Sequence, residues 1–167
     1  MTRAALVSTL LLSVSTYANA QGCLRCGAPD TLRRSHVVAA WGVHVGEPQK
    51  ASAALGVILG EDWQSKGRDH SRNVALYAEP GIAAGRASIA YLDQGYGSFG
   101  SGFGIAASVL RAWDDPWVAK QNVTYVGGEL LLWPIVFVGP RVGLFHSVTG
   151  PSGSQKWFVS FDFGVGL

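Results

Sequence analysis

The sequence predicts an all-β protein: an antiparallel, up-and-down transmembrane β-barrel of about eight strands, carried behind a cleaved signal peptide. Three observations lead there. The first twenty residues have the three-part composition of a secretory leader. From Ser35 onward the chain breaks into stretches of roughly ten residues, the length a tilted strand needs to cross a bilayer. In most of those stretches one parity is large and apolar while the other is small or polar.

In the leader (1–20), Arg3 is the positive start, Ala4 to Val14 the apolar run, and Ala18-Asn19-Ala20 the small-x-small cleavage site before Gln21. The run is shorter than the ~20 apolar residues of a spanning helix, and no basic anchor follows it. No later segment reaches that length, because glycine, charge or proline interrupts each one. A membrane protein of this composition has to be a closed barrel, the other structure that satisfies its own backbone in lipid. The remainder divides into an N-terminal periplasmic tail (21–34) and a barrel (35–167).

The tail holds both cysteines, as Cys23-Leu24-Arg25-Cys26. A zinc site would need two further ligands at matching spacing, and a thioredoxin-like site a βαβ context; neither is present in the sequence. A short disulfide between Cys23 and Cys26 is expected in an oxidising compartment. Lipidation of Cys23 is disfavoured, since Ala20-Gln21-Gly22 lacks a leucine three positions before the cysteine.

The strand-like stretches are 36–46, 51–60, 73–81, 84–92, 99–112, 123–133, 135–146 and 157–167. In the first, Val37, Ala39, Trp41, Val43 and Val45 oppose His36, Val38, Ala40, Gly42 and His44. In the fifth, Phe103, Ile105, Ala107 and Val109 oppose Gly102, Gly104, Ala106 and Ser108. A soluble barrel puts charge outside and large apolar residues inside. Here the face opposite the large residues is glycine, alanine and serine, which suits the crowded interior of an eight-stranded barrel. The large face is then expected to meet lipid.

Charges on the small face have expected partners. A two-residue turn at Ile82-Ala83 sets Glu79 opposite Arg86, and a tight turn near Trp133-Pro134 puts Glu129 and Arg141 on one face, opposite or one diagonal apart. Both are read as structural ion pairs, since a lone buried charge is costly. Pro80 and Pro140 signal a bulge or a strand end. Short connections are expected near Glu47-Pro48, Gly81 and Trp133, with long ones at 61–72, 93–98 and 147–156, a pattern whose parity changes midway. Residues 61–70 read as a solvated rim loop. Trp41, Trp63, Trp113, Trp117, Trp133, Trp157, Tyr91, Tyr96 and Tyr125 are read mostly as interfacial girdles.

The chain ends on "WFVSFDFGVGL", in which Val159, Phe161, Phe163, Val165 and Leu167 alternate with small or polar residues. This resembles the C-terminal strand of small Gram-negative outer-membrane β-barrels, which the outer-membrane assembly machinery reads; Leu167 stands where an aromatic usually does. The resemblance implies an outer-membrane location, contact with outer-membrane lipid and lipopolysaccharide, and a monomer. It is silent on activity, because such barrels host adhesins, enzymes and structural proteins alike.

The balance of Lys+Arg 13 against Asp+Glu 11, a formal +2, predicts no nucleic-acid partner. No cofactor or metal motif appears; "GYGSFGSGFG" lacks the lysine and helix of a phosphate loop. His146-Ser147 is the one hint of hydrolysis. Outer-membrane lipid A deacylases use a histidine and serine on one strand, separated by one residue so that both point the same way. Here they are adjacent and point oppositely. His44 reads as an interior or rim histidine. The expected role is therefore non-enzymatic: envelope structure or recognition through the loops. A lipid-modifying enzyme is the competing class, and a soluble barrel binding a small apolar ligand is the third.

Overall fold

The computed structural model describes residues 33–65, 68–96, 101–114, 116–135, 138–150 and 156–166. The leader, Cys23, Cys26 and Leu167 lie outside them. Eight strands run in chain order: β1 (Arg34–Glu47), β2 (Lys50–Ser65), β3 (Arg68–Pro80), β4 (Ala84–Tyr96), β5 (Ser101–Ala112), β6 (Thr124–Trp133), β7 (Val138–Ser147) and β8 (Trp157–Gly166). Each pairs antiparallel with the next, and β8 pairs with β1, so the sheet closes into an up-and-down barrel.

The registers measure the closure. Starting at Val37, the paired residues run Leu59, Val74, Tyr91, Ile105, Leu130, Val142 and Phe161, and return to β1 at Glu47. The path comes back ten residues along the strand it left, a shear that tilts the strands against the barrel axis. Because side chains alternate along each strand, every residue of this path before Glu47 points outward. All eight are large, apolar and 38–69% exposed. The outer wall above and below carries more of the same, including Trp41, Leu55, Leu76, Ile89, Val109, Leu144, Val159 and Phe163.

The inner face packs in three layers. At the end where β1 begins and β8 ends lie Ala40, Ala54, Ala75, Tyr77, Ala90, Leu92, Ala106, Leu131 and Trp133. At the far end lie Leu110, Tyr125, Phe145 and Phe158 with Ala119 and Val123 from the β5–β6 connection, Phe145 stacked on Phe158 with centroids 5.2 Å apart. Charged residues fill the middle. The bulky interior groups sit where a neighbouring strand carries glycine: a Cβ at Gly127 would press on the Phe145 ring. Tyr125 and Trp133, expected in the interfacial girdle, are instead buried inside, 0% and 4% exposed. Their strand parity points them inward, and Gly104 leaves room for the Trp133 ring, which a Cβ there would meet at 3.1 Å.

The expected rim loop at 61–70 is also corrected. Residues 61–65 continue β2 and 68–72 continue β3, paired through Trp63↔His70 to Ser65↔Arg68. Backbone pairing persists there after the apolar alternation has given way to charge. With this correction, the connections after β2, β4 and β6 are short and lie at the end where β1 begins. The longer ones, 113–123 and 148–156, lie at the far end with the tight turns 48–49 and 81–83. Pro80 ends β3. Pro140 pairs with Phe163 on β8, just before the β6–β7 ladder begins at Arg141, so its missing N–H interrupts no bond to β6. A register shift between Gln94 and Tyr96 coincides with Gly95 at φ +116°, a conformation that favours glycine.

Candidate functional site: a buried charge cluster

The two expected Glu/Arg pairs are parts of one cluster. The β3–β4 turn closes through Gly81 N–H donating to the Ala84 carbonyl (3.0 Å), which fixes Glu79 opposite Arg86. Arg86 Nη2 then lies 3.0 Å from Glu79 Oε2. Arg141 pairs in register with Leu131 on β6, one diagonal from Glu129, and its Nε sits 3.4 Å from Glu129 Oε2. Barrel closure joins these hairpins. Arg86 Nη1 donates to Glu129 Oε2 (2.7 Å), and Arg141 Nη2 donates to Glu79 Oε1 (2.8 Å).

A third carboxylate completes the arrangement. Asp162, on β8, accepts from Arg141 Nε through Oδ1 (2.8 Å) and from Arg86 Nη2 through Oδ2 (3.2 Å). Each guanidinium thus faces all three carboxylates, and all five side chains are buried. His44 on β1 brings Nδ1 to 3.1 Å from Glu79 Oε1, and Ser52 on β2 donates its hydroxyl to the same oxygen (2.6 Å). Gln49, in the β1–β2 turn, donates to the Glu79 carbonyl (2.7 Å). Glycines make the space: a Cβ at Gly143 would meet Ser160 Oγ at 2.6 Å and Glu129 Cγ at 3.0 Å, and one at Gly164 would overlap the His44 ring.

This arrangement is a cross-brace. Arginine's planar fork lets one residue bond carboxylates on different strands at once. Buried charges persist only when paired, and here two cations and three anions, with His44 beside them, tie β1, β3, β4, β6, β7 and β8 across the interior. Asp162 and His44 both stand on the small face in the sequence; the β7–β8 register sets Asp162 opposite Arg141, and the curvature of the sheet across several strands brings Asp162 to Arg86 and His44 to Glu79.

The other candidate residues are not brought together in this way. β7 alternates through its end, with Phe145 inward and His146 outward, where His146 packs edge-on against Trp157 (4.5 Å between centroids). Ser147 takes the opposite face and its N–H donates to the Lys156 carbonyl (2.8 Å). Val159, Phe161, Phe163 and Val165 point outward along β8 as expected. No group of three potential metal-ligating His, Cys, Asp or Glu side chains occurs among the described residues.

The far end of the barrel is covered by the β5–β6 connection. Trp113 and Asp114 donate their backbone N–H groups to the Ala83 carbonyl, Trp113 Nε1 donates to the Ile82 carbonyl (2.8 Å), and the Lys120 N–H donates to the Tyr125 hydroxyl (2.8 Å). Trp117, near the tip of the connection, is 88% exposed, and its N–H donates to Glu47. No protein-family model, curated protein or solved structure matches the chain.

Proposed function

We propose that this protein is an integral outer-membrane β-barrel whose role is non-enzymatic: envelope structure, or recognition through the connections at its far end. The observation that carries the reading is the continuous ring of outward apolar side chains, from Val37 through Phe161 back to β1. A soluble monomer rarely exposes contiguous apolar surface beyond a few hundred Å². Lipid removes that cost, and the sheet closes on itself through β8 and β1 at Gly42–Glu47.

Two further features support it. β1 begins and β8 ends on the side of the short connections, and the longer connections share the other side, the usual arrangement of periplasmic turns and external loops. The interior holds bulky rings above and below a paired charge layer, which opposes a wide diffusion pore. The partners in this reading are outer-membrane lipid, lipopolysaccharide and the assembly machinery that reads the last strand.

The test is the mobility of the expressed outer-membrane fraction in detergent gels, unboiled against boiled. A boiling-dependent shift, in material that stays with the membrane through a carbonate wash, is expected. Protein that is soluble without detergent and shows no shift would overturn the reading in favour of a soluble barrel. Planar bilayers containing the folded protein should show no porin-sized conductance.

A further inference from the structure

The outer face changes character within one row of residues at the end where β1 begins. Val37, Leu59, Val74 and Tyr91 stand in register across β1, β2, β3 and β4 as part of the apolar ring. The next outward row, about 7 Å further along the strands, is Ser35, Glu61, Arg72 and Asp93. Beyond that row Trp63 pairs with His70. On β5, β6 and β8, by contrast, Phe103, Leu132 and Val165 keep this end apolar. The charge therefore marks one sector of the wall, directly against the apolar ring.

Trp63 is the hub of that sector. His70 stacks on its ring, with centroids 5.4 Å apart and planes 13° from parallel. Arg72 holds its Cζ 5.0 Å from the same ring, and Arg33, just before β1, holds its Cζ at 6.0 Å. Arg72 is oriented from behind: its Nε donates to Asp93 Oδ2 (3.3 Å), which also accepts the Tyr91 hydroxyl (3.2 Å). Asp93 is buried, while the Arg72 side chain is 58% exposed. A guanidinium tied through Nε turns its two terminal nitrogens outward, the pair that grips two oxygens of one phosphate. Arg33 lies 3.7 Å from Glu61, an exposed pair that competes weakly with another anion.

We propose that Arg33 and Arg72, set about the Trp63 ring, bind the phosphodiester of a phospholipid whose acyl chains lie on Val37, Leu59 and Val74. A ligand with its anion on these guanidiniums has the apolar row directly beside it, which calls for an amphiphile; free phosphate would leave that row uncovered. Tyr91, with its ring in the apolar row and its hydroxyl on Asp93, marks the depth at which headgroups begin. Glu61, beside the arginines, favours a headgroup that carries its own cation, such as ethanolamine. The inference rests on the membrane reading and assigns one lipid contact within it.

The experiment is native mass spectrometry of the full chain, folded in a non-ionic detergent and titrated with dioleoylphosphatidylethanolamine or with dioleoylglycerol, which has the same chains and no phosphate. One phospholipid should bind per barrel, and dioleoylglycerol about a hundredfold more weakly. Arg33→Gln should weaken phospholipid binding about tenfold, and R33Q/R72Q about a hundredfold. Arg111→Gln, which removes an exposed cation at the far end of β5, should leave it unchanged. Excess inorganic phosphate should not displace the lipid. Equal binding of the two lipids, an equal loss in Arg111→Gln, or unchanged binding in Arg33→Gln, whose side chain is too exposed to hold the fold, overturns the site. Displacement by inorganic phosphate overturns the phospholipid as its ligand. In each of these cases a boiling-dependent mobility shift of the same preparation leaves the membrane reading standing; without that shift, the membrane reading fails and the site with it.

Discussion

Arg86 has no conservative replacement in this barrel. Its two terminal nitrogens reach Glu79, Glu129 and Asp162 at 2.7–3.2 Å, carboxylates that come from three different strands. Arg86→Met leaves three carboxylates facing Arg141 and His44 alone. Breaking a buried charge network by removing one partner costs about 3–5 kcal/mol. The temperature at which the unboiled gel band converts to the unfolded one should fall accordingly. Arg86→Lys retains the charge but loses the fork, so it should fall between wild type and Arg86→Met. Equal conversion temperatures for all three chains would show that the cluster does not brace the wall.

The elements differ in what holds them. The strands are held by ladders on both sides over most of their lengths, β1 on its β8-facing side excepted, whereas the β5–β6 connection depends on a few anchors: Trp113 on Ile82, Ala119 and Val123 buried beneath it, and Lys120 N–H on the Tyr125 hydroxyl. Tyr125→Phe keeps the ring packing against Phe158 and removes only the acceptor. The loss of one such bond costs about 1 kcal/mol, so local opening should rise about fivefold. Trypsin should cut at Lys120 faster by a similar factor, with the barrel's heat conversion little changed. An unchanged cleavage rate would mean that the apolar contacts alone hold the connection in place.

At the scale of the whole molecule, the outer wall and the interior make opposite demands on neighbouring residues. Phe161 is 57% exposed on the outer ring, and the next residue, Asp162, is 3% exposed in the charge cluster. In the membrane reading, Phe161→Arg puts a cation into lipid near the middle of β8, at a cost of about 2–4 kcal/mol, falling toward the interfaces. The fraction of protein recovered as heat-modifiable barrel should drop. If Phe161→Arg inserts as well as wild type, the ring does not face lipid.

How much was legible in the sequence follows from the distance over which each feature is determined. Strand number and inner and outer faces follow from local alternation, and β1 and β8 show it over nearly their whole lengths. The Glu79–Arg86 pair was legible because one short turn fixes its register. The extension of β2 and β3 through 61–65 and 68–72 was not, because hydrogen bonding between backbones continues where the side chains turn polar. The inward placement of Tyr125 and Trp133 was obscured by their aromatic character, although their parity indicates it.

What the sequence by itself determined is therefore the barrel class, the two faces of its wall and the carboxylate–arginine neighbours within a hairpin, since each depends on residues a few positions apart. Only the tertiary structure decided that the two pairs form one cluster with Asp162 and His44. Asp162 meets Arg86 across 76 positions of chain. Which residues face one another at that separation is set by the shear at which the sheet closes, and no local pattern records that shear.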